Sequence, residues 1–254
     1  MPIEYISTED AIAAQGLRMT VVSAVPSPWG EAAKGILHVK GLPWKAVRYN
    51  AMDKRQSDWT GYPNAPTLIH DEDKPLNGWR NILEFLDSLA NTPILLPDEA
   101  RQSCLELSEL YCGQDGLGWH RRLQGVHAGL NGDGGFALPI AQYLGFKYGY
   151  SAELMEKSTD RVKVILESLV SRLKSQREKG SDYFVGKRLT CVDIYNAAFM
   201  AFFDPLPDNQ CAMHPKSRAV FEQVFPETDQ AFDPILLAHR DYIYSRYLEL
   251  PLSL

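Results

Sequence analysis

No stretch of this chain is apolar for the roughly 20 residues that a bilayer crossing takes, so an integral membrane protein is excluded. The start, Met1-Pro2-Ile3-Glu4-Tyr5, has no basic segment leading into an apolar one and does not read as a secretory signal. Cysteine is scarce. Cys104, Cys112, Cys191 and Cys211 are well separated, none forms a C-x-x-C pair, and no histidine lies beside them at metal-ligand spacing. The expectation is four reduced structural thiols in a cytoplasmic protein and no metal. Positive charge is in deficit: 26 Lys and Arg face 32 Asp and Glu, for a formal net charge of −6. The densest basic stretch, Lys174 to Lys179, is interrupted by Glu178. Nucleic-acid binders cluster cations against phosphates, so DNA and RNA are not expected partners. No internal repeat is present.

What is there is ordinary globular material, 45% hydrophobic and 23% charged. The length, 254 residues, leaves one domain and two both open. Ser7-Thr8-Glu9-Asp10 has the form of a capping box and predicts a short helix through Ala14. Arg18 to Val25 is apolar and β-branched enough for a buried strand. Pro26-Ser27-Pro28 forces a turn. Trp29 to Lys40 places Ala33, Ile36, Leu37 and Lys40 at helical spacing, with Gly41 as the stop. Trp44 to Tyr49 is a second strand, and a strand-helix-strand crossover implies parallel pairing. Asp53 to Thr60 reads as a short irregular helix. Thr67 to His70 and Lys74 to Leu76 form a hairpin, and Asn77 to Ala90 an amphipathic helix with Ile82, Leu83, Leu86 and Leu89 on one face.

After Asn91 to Asp98 the texture changes to almost pure helix. The stretches are Ala100 to Gly113, Leu117 to Val126, Leu138 to Tyr148, Ala152 to Lys179, Thr190 to Phe203, Pro215 to Phe225 and Asp233 to Leu248. That divides the chain into an α/β domain over residues 1–92, with a short N-terminal helical extension, and an all-helical domain over 98–254, both of normal domain size.

Three stretches carry a resemblance to the glutathione transferase superfamily. Ser27-Pro28-Trp29, with the following helix and Lys40-Gly41-Leu42-Pro43-Trp44, resembles the family's first strand-to-helix turn and its entry to the second strand. Asn64-Ala65-Pro66-Thr67-Leu68 is similar to the family's cis-proline segment. Leu189-Thr190-Cys191-Val192-Asp193-Ile194 is similar to the capping motif of a buried helix in its second domain. The resemblance implies a thioredoxin-like α/β domain of order βαβ-α-ββα followed by a helical bundle, glutathione as co-substrate, a small electrophile as second substrate, and a homodimer.

It also implies roles. Ser27 matches the serine that donates a hydrogen bond to the glutathione thiolate, a group that a helix N-terminus also favours; read without the resemblance, Ser27 is a helix cap. Ser23 competes from within the expected strand. A cysteine at position 27 would instead support thiol-disulfide exchange. Ala65, before Pro66, matches the residue whose backbone pairs with the cysteinyl part of glutathione, and Pro28, Trp29 and Thr67 frame the same subsite. The family's acid-Ser pair for the γ-glutamyl group is replaced by Gly78-Trp79, with Asn77 and Arg80 as partial substitutes. Trp79 reads as a stacking surface for a different ligand or as filler of the pocket. The acceptor pocket is expected against the first helices of the second half, with Tyr111, Trp119, His120 and Arg122 nearby and an apolar electrophile suited to the aromatics. Thr190 and Asp193 read as a structural capping box, and His127 and His239 as structural histidines without a partner. The altered pair motivates a rival, a non-catalytic scaffold of the same fold; a glutathione-dependent isomerase or dehalogenase would share the site.

Overall fold

The computed structural model describes residues 3–89 and 92–254. The first part is a mixed five-stranded sheet. Its strands are β1 (Glu4–Ile6), β2 (Leu17–Val21), β3 (Trp44–Arg48), β4 (Thr67–His70) and β5 (Leu76–Asn77), in spatial order β1-β3-β2-β4-β5. The first three run parallel, β4 is antiparallel to β2, and β5 is antiparallel to β4. Helices α1 (Thr8–Ala13), α2 (Pro28–Val39), α3 (Lys54–Thr60) and α4 (Trp79–Ser88) complete it. The thioredoxin-like expectation holds, with one addition. Residues 4–6 are an edge strand on β3, so the N-terminal segment is more than a helical extension. The Ser7 cap forms as expected, accepting from the Asp10 N–H at 3.0 Å.

Boundaries moved where tertiary contacts outrank local propensity. β2 ends at Val21 rather than Val25. Ala24 takes φ 64°, which carries the chain out of the sheet. Val25 then packs toward Phe202 and Phe221 of the helical domain, so its apolar character serves the domain junction. Ser23 consequently lies in the loop, not in the strand. α3 is a regular helix because Asp53 caps it through the Arg55 N–H. Asn77 belongs to β5 and α4 starts two residues later, after Gly78 turns the chain at φ 87°. Ala90 and Asn91, at the expected helix end and linker, lie outside the described residues.

The second part is helical throughout: α5 (Arg101–Cys112), α6 (Leu117–Asn131), α7 (Leu138–Tyr148), α8 (Ala152–Glu178), α9 (Cys191–Phe199), α10 (Pro215–Phe221), α11 (Pro226–Asp229) and α12 (Ile235–Tyr247). Every residue of α9 is buried, which fits its mostly apolar sequence, with Asp193 and Asn196 as the buried polar exceptions. It packs on α2, α5 and α12 and so ties the bundle to the α/β part. It is shorter than expected, since residues 200–202 tighten to a 3-10 turn. The expected helix from Pro215 to Phe225 is two, because Pro226 starts a new one. The C-terminal tail crosses back: Tyr5 Oη and Lys34 Nζ both donate to the Ser253 carbonyl. Among the described residues, no helix is long and apolar enough to cross a membrane.

Candidate functional site

The strand register gathers three segments at one end of the sheet. Thr20 pairs with Thr67, and Thr67 with Asn77. The loop leading from β2 to Ser27, the Asn64–Pro66 turn and Gly78 therefore lie at the same edge. Asn77 fastens them: its Nδ2 donates to Asn64 Oδ1 at 2.9 Å, to the Pro66 carbonyl at 3.0 Å and to Thr67 Oγ1 at 2.9 Å. The Ala65–Pro66 bond is cis, as the resemblance implies.

Ser27 occupies the cap position of α2 yet makes no capping hydrogen bond through its side chain. The residue is 8% exposed, and its hydroxyl has no protein partner among the described residues. The pure-cap role is thus not exercised, and a hydrogen-bond donor stands at a helix N-terminus. Ala65 is half-buried, and its backbone N–H and C=O take no protein partner among the described residues. Gly78 leaves the N-terminus of α4 without a side-chain cap as well. Its φ of 87° is one that side chains rarely adopt, which accounts for glycine where an acid is expected. Two uncapped helix N-termini and a free strand-like backbone pair can receive carboxylates and an extended peptide.

Several expected site residues point elsewhere. Pro28 and Pro66 are buried and shape the two turns. Thr67 is wholly buried; its N–H donates to Thr20 Oγ1 and its hydroxyl to the Asn64 carbonyl, so it is a strut. Trp29 is a peg between the two parts. Its Nε1 donates to the Cys112 carbonyl at 3.0 Å, and its ring meets Phe199 edge-on at 5.0 Å. Trp79 leans edge-on against Tyr195 of α9 at 5.9 Å, docking α4 on the bundle rather than forming a stacking surface. Tyr111 is 0% exposed, and its hydroxyl donates to Asn196 Oδ1. It belongs to the core and not to an acceptor pocket, and burial pushes its phenol well above the usual range. His120 is buried between Asp115 and Ser158. Asn77 is spent on the turn, and Arg80 is exposed and turned to Glu84, so neither replaces the missing acid. Trp119 is half-buried and edge-on to Tyr148 of α7 at 4.5 Å.

This architecture has many counterparts. The model of the glutathione S-transferase C-terminal domain matches residues 136–233. The chain shares the fold of glutathione transferases, and part of its helical half matches that family's C-terminal domain. A family member from Pseudomonas fluorescens Pf-5, solved with two glutathione molecules bound, is 18% identical with TM-score 0.61, covering 94% of each chain. A glutathione S-transferase from Methylobacillus flagellatus KT with glutathione bound is 14% identical with TM-score 0.61, covering 91% of this chain and 96% of that one. Rice GST1 in complex with glutathione is 18% identical with TM-score 0.55, covering 93% of each. No curated protein matches in sequence.

Sequence reasoning missed the contact of Tyr49 with α7 on one side and the segment before the cis-proline turn on the other. Tyr49, just past β3, donates to the Pro63 carbonyl at 2.5 Å. Burial first, then Tyr143 and Tyr148 of α7, push its hydroxyl up to about 12, so it stays protonated as a donor. Lys147 Nζ stands 6.0 Å from the Tyr49 ring. The only signal in the sequence was a tyrosine-rich α7, and nothing local said that it would lean on the α/β part.

His239 proves to have a partner after all: its Nε2 lies 3.0 Å from Asp193 Oδ1, both side chains wholly buried. Cys112, although next to Trp29, is no reactive thiol, because burial pushes it well above the usual range, with Glu109 adding to the effect. The Trp29 peg fits because α6 offers Gly118: a Cβ there would lie 2.7 Å from Trp29 and 2.4 Å from Phe199. Gly118→Ala is expected to cost about 1–3 kcal/mol by overpacking, read as a lowered urea midpoint. An unchanged midpoint would mean the junction yields freely.

Proposed function

We propose that the protein activates the glutathione thiolate for attack on a small electrophile, with Ser27 donating a hydrogen bond to sulfur. One observation carries this reading: the Ser27 hydroxyl stands at the N-terminus of α2 with no capping bond to make. A thiol placed there ionises more readily, because the helix end and the hydroxyl both favour the anion. The free backbone groups of Ala65 suit the cysteinyl part of glutathione, and the uncapped N-terminus of α4 suits the γ-glutamyl carboxylate. The thiol proton leaves to solvent, the S–C bond forms, and the leaving group departs with its electrons. The glutathione held by the structural neighbours supports the co-substrate. By the same resemblance we take the molecule to be a cytoplasmic homodimer.

A second reading has an observation of its own. Gly78 supplies no acid for the ligand ammonium, and Trp79 is committed to Tyr195, which favours a scaffold that has lost the co-substrate. Calorimetric titration of the protein with glutathione separates the two. Saturable binding at millimolar concentration or tighter is the expected result; no heat of binding up to tens of millimolar would support the scaffold instead.

A further inference from the structure

Neighbouring arginines on α6 are treated very differently. Arg121 is buried and fully used: it pairs with Asp229, donates to the Phe202 and Gln223 carbonyls, and lies over Phe203 and Phe225. Arg122 also lies over rings, 4.7 Å from the centroid of Trp29, 5.0 Å from Tyr148 and 5.4 Å from Phe202. It donates to the Tyr148 hydroxyl. Yet no carboxylate stands within ion-pair distance of it among the described residues, and its other N–H groups meet no protein acceptor. It is only half-buried, so those donors face solvent at the junction. Lys147, on the next helix, likewise has no ion-pair partner among the described residues. Arg122 thus keeps its charge without an acid beside it, among rings drawn from α2, α7 and the turn after α9.

A guanidinium fixed over rings keeps its planar fork oriented and is pre-organised to bind a carboxylate through two parallel hydrogen bonds. Trp29, which Arg122 lies over, follows Ser27 by two residues in the first turn of α2, which ties the fork to the segment that carries Ser27. We propose that Arg122 selects the second substrate: an electrophile that carries a carboxylate on a planar aromatic or conjugated frame, with the rings holding the frame and Arg122 the anion. This rests on the thiolate reading of Ser27 and replaces the apolar electrophile with an anionic one.

The test uses two chloronitrobenzenes, neutral 1-chloro-2,4-dinitrobenzene and anionic 4-chloro-3-nitrobenzoate. In each, the C–S bond forms at the chlorine-bearing carbon and chloride leaves with the bonding pair. The ratio of kcat/KM, anionic over neutral, is expected to fall about 10- to 100-fold in Arg122→Gln, mostly through KM, and to recover in part in Arg122→Lys. Binding of unreactive 3-nitrobenzoate and nitrobenzene is measured by calorimetry on the same three proteins, without turnover. Tighter binding of nitrobenzoate by the wild type, lost in Arg122→Gln, supports the subsite even if neither chloride is turned over, and in that case the thiolate reading fails alone. Nitrobenzoate binding no tighter than nitrobenzene overturns the proposal. So does competition between nitrobenzoate and glutathione, which would assign Arg122 to a carboxylate of the tripeptide.

Discussion

Ser27→Ala is expected to lower glutathione conjugation about 10- to 100-fold at pH 6.5, with glutathione affinity changed far less. A free thiol titrates near ~8.5, and each unit by which the site lowers that value corresponds to about 1.4 kcal/mol of preference for the thiolate. A hydroxyl donor to sulfur is worth one to two such units, since hydrogen bonds to charged groups contribute about 1.5–3 kcal/mol. The sign sets the pH dependence. Removing the donor raises the bound thiol, so the variant has too little thiolate at low pH. Above about pH 9 the thiol ionises without help, and the two rate profiles should converge. Rate-pH profiles for both proteins, with binding measured alongside, check this. A loss that is the same at every pH would mean that Ser27 acts by position and not on the ionisation of sulfur. No loss at all would remove it from the chemistry.

The largest stability effect is expected at Asp193, which is wholly buried. Its Oδ2 accepts from the Thr190 N–H at 2.8 Å and the Thr190 hydroxyl at 2.9 Å. Its Oδ1 accepts from the Phe184 N–H at 2.9 Å and lies 3.0 Å from His239 Nε2. A cap alone is worth about 1 kcal/mol. Here one carboxylate joins the start of α9, the loop before it and α12. Asp193→Ala should therefore cost about 3–5 kcal/mol, because it leaves buried donors unpaired. For a chain this long that is a fall on the order of 10 °C in Tm. Asp193→Asn keeps the shape and half the acceptors and should lose less. A Tm within a degree or two of wild type for Asp193→Ala would show that the network contributes only a local cap. Neither variant should change the pH at which conjugation rises, because Asp193 does not face Ser27.

The residues whose roles were legible in the sequence are those whose partners lie within one turn. Ser7 with Asp10, and Thr190 with Asp193, announce themselves at three-residue spacing, and both caps form. The apolar face of α8, where Val162, Ile165, Leu166, Leu169 and Leu173 recur at helical spacing, and the bounds of α7 are equally local. The roles that could not be read belong to large side chains at the junction. Trp29, Trp79 and Tyr111 look alike on paper, as aromatics near a cleft. Their directions depend on where Cys112, Tyr195 and Asn196 stand, some 80 to 120 residues away in sequence. His239 had no visible partner because Asp193 precedes it by 46 residues.

The sequence by itself determined the thioredoxin-like and helical halves, the cis-proline turn by resemblance, and the serine at the head of α2. Periodicity, capping and proline punctuation are properties of neighbouring residues, and they survive folding unchanged. The tertiary structure decided which groups remain free once folding has used the rest. It used Thr67, Asn77, Trp79 and Tyr111 in struts and packing, and among the described residues it left the Ser27 hydroxyl and the Ala65 backbone without protein partners and the Arg122 fork without a carboxylate. A buried polar group must find a partner within the protein, whereas a site keeps donors and acceptors in hand for a ligand. That distinction exists only where distant segments meet.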